Sequence, residues 1–227
     1  MRSLYLAGAS ALLLASTALA QNAAPAGGAP GGGRGPAGTN VTGTIQSVVG
    51  TMVTIKAADG SVKTAALAPT ATFSTSQKVK LSDIKPNDFI ATGGTLGPDG
   101  KIHSNEIRIF PEANRGRGEG SYPMAQAGQV MTNATVTQVI SVPAGGGTMK
   151  MSFKGSIGAD GKCSGRAGVA DAAPCTGTTD IEVAPDIIVN RQGVGDASML
   201  KAGTNATVTL TGADGAQTIS RVTITLN

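Results

Sequence analysis

Residues 81–95 read LSDIKPNDFIATGGT and residues 197–211 read ASMLKAGTNATVTLT. Laid on one another, both begin with a short polar step ending in a lysine, Lys85 or Lys201, and pass into a strand-like run. The alternation is clearest in Ala206-Thr207-Val208-Thr209-Leu210, where apolar side chains take one face of a strand and threonines the other. Working outward, Pro69 meets Pro185 at the same offset of 116, and Asp99-Gly100 meets Asp214-Gly215 one residue out of step. Residues 67–109 thus recur as 183–224. Upstream, Gly50-Thr51-Met52 resembles Gly147-Thr148-Met149, and Asn40-x-Thr42 resembles Asn133-x-Thr135. Two homologous units are the economical reading.

Each unit reads as the same series. The first strands are 41–48 and 134–142, the second 52–56 and 149–154, and a third precedes the shared proline. The polar step follows, and a hairpin closes the unit, 88–95 with 101–110 and 205–211 with 216–226. Five short strands with a crossing turn favour a closed barrel, because closure removes edges that Thr-rich strands would otherwise expose. The expectation is an all-β chain of two tandem small OB-like antiparallel β-barrels, residues 40–111 and 131–227, joined by a glycine-rich linker at 112–130. Ile219 and Val222 are an odd number of residues apart, as are Ser104 and Ile107. A regular strand would point each pair to opposite faces, which predicts β-bulges near Asn105-Glu106 and Ser220-Arg221.

The ends and the insertion have their own chemistry. Residues 1–20 carry Arg2, an apolar stretch and the ending Ala18-Leu19-Ala20, the pattern of a secretory signal peptide cut near Ala20. Residues 21–39 are almost wholly Ala, Gly, Pro, Asn and Gln, too poor in apolar surface to offset ordering, and read as a disordered tether. No apolar run reaches the roughly 18 residues of a membrane span. Periplasm or secretion is the expected location. Cys163 and Cys175, the two cysteines of the chain, fall in an insertion at 155–178, and export favours pairing them as a disulfide.

Candidate chemistry is sparse. Of 227 residues, 18 are Lys or Arg and 14 Asp or Glu, with no dense basic stripe, so a nucleic-acid footprint is not expected. His103, the sole histidine, stands three residues before Glu106, and with a bulge between them it points outward as a solvated side chain rather than a ligand. Asp160, Asp171, Asp180 and Glu182 match no alternating calcium-loop spacing. The Asp-Gly pairs at 59, 99, 160 and 214 read as hairpin turns. The serines lack a nucleophile-elbow context. No metal site, cofactor or catalytic set is assigned.

The run Leu-Ser-Asp-Ile-Lys-Pro-Asn-Asp-Phe-Ile at 81–90, with the Gly-Thr and Asp-Gly turns around it, resembles the exported bacterial domain of unknown function 5666. The resemblance covers residues from about 40 onward and implies small OB-like barrels and an exported location. The stretch Gly118-Glu119-Gly120-Ser121-Tyr122-Pro123, followed by Met131-Thr132-Asn133-Ala134-Thr135-Val136, is also similar to hypothetical periplasmic proteins, some labelled metal ABC transporter permeases. A permease must span the membrane, and this chain has no segment of that kind. In that group His is expected after Gly-Glu-Gly, whereas Ser121 stands here.

The functional expectation is a non-enzymatic exported module that binds a protein or polymer of the cell envelope. The alternative is a periplasmic carrier of a metal or small ligand in the cleft between units, with Arg117, Glu119 and Tyr122 as its candidate ligand-binding residues. A shared pocket lined by the linker would favour the carrier, and a smooth junction the scaffold.

Overall fold

The computed structural model describes residues 38–141, 146–213 and 216–227. The expected signal peptide, nearly all of the tether, Val142 and the Asp214-Gly215 turn lie outside these residues. The described chain is built of β1 (Thr39–Val49), β2 (Met52–Ala57), β3 (Val62–Val79), β4 (Phe89–Leu96), β5 (Ile102–Ile109), β6 (Gly120–Pro123), β7 (Gln129–Ser141), β8 (Gly147–Ser156), β9 (Gly165–Arg166), β10 (Pro174–Val183), β11 (Ile188–Val194), β12 (Asn205–Thr211) and β13 (Thr218–Leu226). Single 3-10 turns at Leu81–Asp83 and Ala197–Met199 form the polar step of each unit.

The strands close into two rings. In one, β1 pairs β2, β2 pairs β3, β3 runs parallel to β13, β13 pairs β12, and β12 returns to β1. In the other, β7 pairs β8, β8 pairs β10, β10 runs parallel to β5, β5 pairs β4, and β4 returns to β7. One parallel contact in each five-stranded ring is the closure of an OB-like barrel. The second ring uses strands contiguous along the chain, and we call it the central barrel; the first joins the two ends of the described chain, and we call it the terminal barrel.

This ring composition corrects the expected boundaries. The first unit gives three strands to the terminal barrel and its hairpin, β4 and β5, to the central one; the second unit does the reverse. The cause lies in β3, which was expected to end before Pro69 and instead continues to Val79 over 18 residues. Pro69 falls where the ladder with β13 is interrupted, between the pairs Leu67–Ile219 and Thr72–Arg221, so its missing N–H forfeits no bond there. At about 3.3 Å per residue the strand carries the chain past its own ring before the hairpin begins. In the second unit the ladder does stop at Pro185, between β10 and β11. β11 then pairs antiparallel with β3 and parallel with β5, stitching the barrels together. Ser76 lies opposite Gln192, its own counterpart at the 116-residue offset, so a pseudo-twofold axis passes through this pair.

The internal symmetry reaches the loops. Asn87 N donates to Val136 O at 2.8 Å and Gly203 N to Ile45 O at 2.8 Å; Val136 N donates to Asp88 O and Ile45 N to Thr204 O. Strand pairing also revises the upstream alignment. The irregularities after Ile45 and after Val136 make these two equivalent, so the counterpart of Asn133 is Thr42 and not Asn40.

Both bulges are where the parity of the sequence places them. Gly93 and Gly94 face Glu106 and Ser104, leaving Asn105 extra; Thr209 and Leu210 face Arg221 and Ile219, leaving Ser220 extra. Ile219 and Val222 are both buried as a result. Deleting Ser220 should turn one of them to solvent and cost about 2 kcal/mol. A denaturant titration with an unchanged midpoint would show that the bulge does not set the facing.

Two apolar clusters fill the rings. Ile90, Ile107, Val136, Met151 and Ile181 are among those in the central barrel, and Ile45, Ile55, Val208, Ile219 and Val222 among those in the terminal one. Ile84 and Leu200, from the two polar steps, plug into these respective cores. Ala206, Val208 and Leu210 are buried as their alternation demands. The turns at Asp59, Asp99 and Asp160 each accept a bond from the backbone N two residues on, with the intervening glycine at positive φ.

Candidate functional site

The linker proves to be structured. After β5 the chain makes a 3-10 turn at Glu112–Asn114 and then lies on the outside of the central barrel, held chiefly by Arg115. Its guanidinium donates to the Asn87 carbonyl at 2.7 Å, the Thr135 hydroxyl at 3.3 Å and both Glu112 carboxylate oxygens, and it stands 5.9 Å above the Phe89 ring. Its hydrogen bonds, and secondarily its charge, hold the Glu112 carboxyl below its usual range. Phe89 points outward, opposite in parity to Ile90, yet is only 2% exposed because Arg115 and the ring of Phe110, 6.0 Å away, cover it.

The three candidate ligand-binding residues have separate engagements. Arg117 is exposed and donates to Asn114. Glu119 accepts from the backbone N of Lys154 at 2.9 Å through its carboxylate, and from Ala167 N through its carbonyl. Tyr122 lies beneath the Arg166 guanidinium, 4.4 Å from the ring centroid, a cation–π contact between β6 and the insertion. Asn133 donates through its side-chain amide to Gly118 O at 2.8 Å, and its Oδ1 is buried without a partner. Sequence reasoning missed Arg115, Asn133 and Lys154. An outward strand position occupied by phenylalanine in one unit and by Asn205 in the other was the available signal.

The insertion folds back on the same barrel. Cys163 and Cys175 form a disulfide, β9 pairs Arg166 and Gly165 with Gly120 and Ser121 of β6, and Cys163 packs on the central core. The acidic residues near it do not converge. Asp160 caps its own turn, Asp180 pairs with Lys150 at 3.2 Å, and Glu182 accepts from Thr148 at 2.8 Å and pairs with Lys101. His103 is exposed and faces Asp99 at 3.2 Å, while Glu106 pairs with Arg108. Among the described residues no three His, Cys, Asp or Glu side chains are grouped to hold a metal ion.

Lys101 and Thr148 together hold the Glu182 carboxyl below its ordinary value, and Lys101 is raised in turn. A depressed carboxylate contributes stability above its unfolded-state pKa and loses it as pH falls through the folded-state value. Acidification from about pH 5 to below the carboxylate range should therefore weaken the seam between β5 and β10. Glu182→Gln should flatten that part of the stability profile, measured by denaturant titration at several pH values; an identical slope in both proteins would remove Glu182 as a cause.

The open surface is on the terminal barrel. A cleft of about 590 Å³ is lined by Thr42, Thr44, Lys56, Ala58, Asn205 and Thr225 among others, and a second of about 370 Å³ shares Asn205 and Thr225 with it. No family model, curated protein or solved structure matches the chain. The surface chemistry alone therefore describes the site. Along the β1–β12 seam Thr209 donates to Asn40 Oδ1, the Thr42 and Thr207 hydroxyls meet, and Thr44 donates to Asn205 Oδ1, each at 2.8 Å. This row keeps further hydroxyl and amide capacity for a guest. Lys56 and Lys201 line the clefts, and among the described residues no aspartate or glutamate does.

Proposed function

We propose that the chain is an exported, non-enzymatic binding module for a partner in the cell envelope. The observation that carries this reading is the open face of the terminal barrel, shallow, lined by threonine hydroxyls and lysine, and with no carboxylate side chain among the described residues. Shallow, open clefts suit an extended partner better than a small molecule, which favours deep enclosure. The export reading draws on the sequence of residues 1–20 and on the Cys163–Cys175 bridge, which belongs to an oxidising compartment. No helix among the described residues is long and apolar enough to cross a membrane.

The test is capture. The immobilised chain is incubated with envelope extract under mild cross-linking, and any captured species is purified and titrated against the chain. Saturable binding by the purified species supports the reading. Absence of any specific species, together with turnover in a broad activity screen, would refute it.

A further inference from the structure

The pseudo-twofold places an occupied face of the central barrel and an open face of the terminal barrel in equivalent positions. Thr42, Thr44, Ala58, Asn205 and Thr225 correspond to Asn133, Thr135, Lys154, Phe89 and Phe110. In the central barrel four of these five, all but Phe110, are engaged by the chain's own segment 112–123. Arg115 takes Thr135 and the Phe89 ring, beside which Phe110 packs, Gly118 takes the Asn133 amide, and Glu119 takes the Lys154 N–H. β6 then adds to the edge of β7, pairing residues 120–123 with 133–130.

The terminal barrel has the same edge without the added strand. β2 stops at Ala57, opposite Gly43, and Ala58 N donates to Thr42 O at 3.2 Å; on that side residues 39–41 and the Thr42 N–H have no backbone partner among the described residues. The larger cleft opens beside this edge. We propose that an extended acidic peptide of a partner protein adds as a strand along residues 39–42 and fills the adjoining clefts, as segment 112–123 does in the central barrel. The proposal rests on the binding-module reading and specifies its partner. Backbone pairing to an open edge supplies affinity, and side-chain chemistry selects the guest.

That chemistry differs between the two faces. The aromatic seat of Arg115 is replaced by Asn205 and Thr225, which removes the cation–π platform. Ser152 of the central barrel is replaced by Lys56, exposed and lining the cleft. The occupant therefore carries carboxylates where segment 112–123 carries Arg115 and Arg117.

The probe is a synthetic peptide of residues 112–123 bearing Arg115→Glu and Arg117→Glu, titrated into the isotope-labelled full chain. Saturable shifts at the amides of residues 39–44 and 205 are expected, with affinity roughly ten-fold above that of the unaltered peptide. Lys56→Glu in the protein should weaken the acidic peptide by roughly ten-fold while leaving the thermal midpoint in place. A probe N-methylated at the amides facing β1 should not bind. Shifts confined to residues 130–135, no shifts at all, or an affinity indifferent to Lys56→Glu would each overturn the proposal. An envelope partner that binds the native chain and the Lys56→Glu variant equally would leave the binding-module reading standing and this inference refuted; no partner, together with turnover in the activity screen, would remove the reading itself.

Discussion

Cutting the polypeptide between Gly116 and Arg117 should leave the two pieces associated, eluting together at the mass of the intact chain and separating only in denaturant. Both residues are exposed, so a protease site there leaves the rings untouched. The N-terminal piece holds β1 to β3 of the terminal barrel and β4 and β5 of the central one; the C-terminal piece holds the complements. Neither can close a ring alone. Each would lose two or three strands of five from both barrels, far more than a typical net stability of about 5–15 kcal/mol can absorb. Separately produced, the pieces should show no cooperative thermal transition, and mixing them should restore one. Two barrels in simple succession would behave in the opposite way, each piece melting sharply by itself without binding the other. That outcome would refute the exchanged arrangement.

Removing the Cys163–Cys175 bridge, by reduction or by a Cys163→Ala, Cys175→Ala double variant, should cost about 3 kcal/mol, the chain-entropy expectation for a loop of this size. The bridge spans 12 positions and fastens an insertion that, beyond the β8–β10 ladder ending at Ser156 and Pro174, meets the barrel through the two-residue β9, the Ile157–Cys163 bridge pairing, the Ser164 N to Ser156 O and Ala167 N to Glu119 O bonds, the packing of Cys163 on the core and the Tyr122–Arg166 contact. The loss should be local. Hydrogen exchange should quicken at residues 120–121 and 155–157, where β6, β8 and β9 meet, and stay slow at residues 206–210 in the terminal barrel. An unmoved denaturation midpoint would show that the insertion is held by its other contacts.

The faces of single strands were legible because alternation is a local property. Ala206, Val208 and Leu210 could be placed inside from their spacing, and the odd separation of Ile219 and Val222 demanded an extra residue that Ser220 supplies. The Asp-Gly turns were legible for a similar reason, since the side chain that caps each turn is two residues from the amide it accepts. The site was not. Arg115 bonds to Asn87 and Thr135, 28 and 20 residues away, and a single sequence carries no mark of such distant partners. Arg117, Glu119 and Tyr122 stood out for their setting in a polar, glycine-rich stretch, yet Glu119 caps a backbone amide and Tyr122 stacks on the insertion.

Periodicity, turn chemistry and the repeat at an offset of 116 determined that the chain is built of strands in two equivalent sets. Which set closes which ring was decided only in three dimensions. The hairpin of either unit presents the same apolar face and nearly the same register to either gap, so local pattern leaves both solutions open. The length and direction of β3, running on through Pro69 to meet β11 at Ser76 and Gln192, deliver the hairpin to the neighbouring barrel.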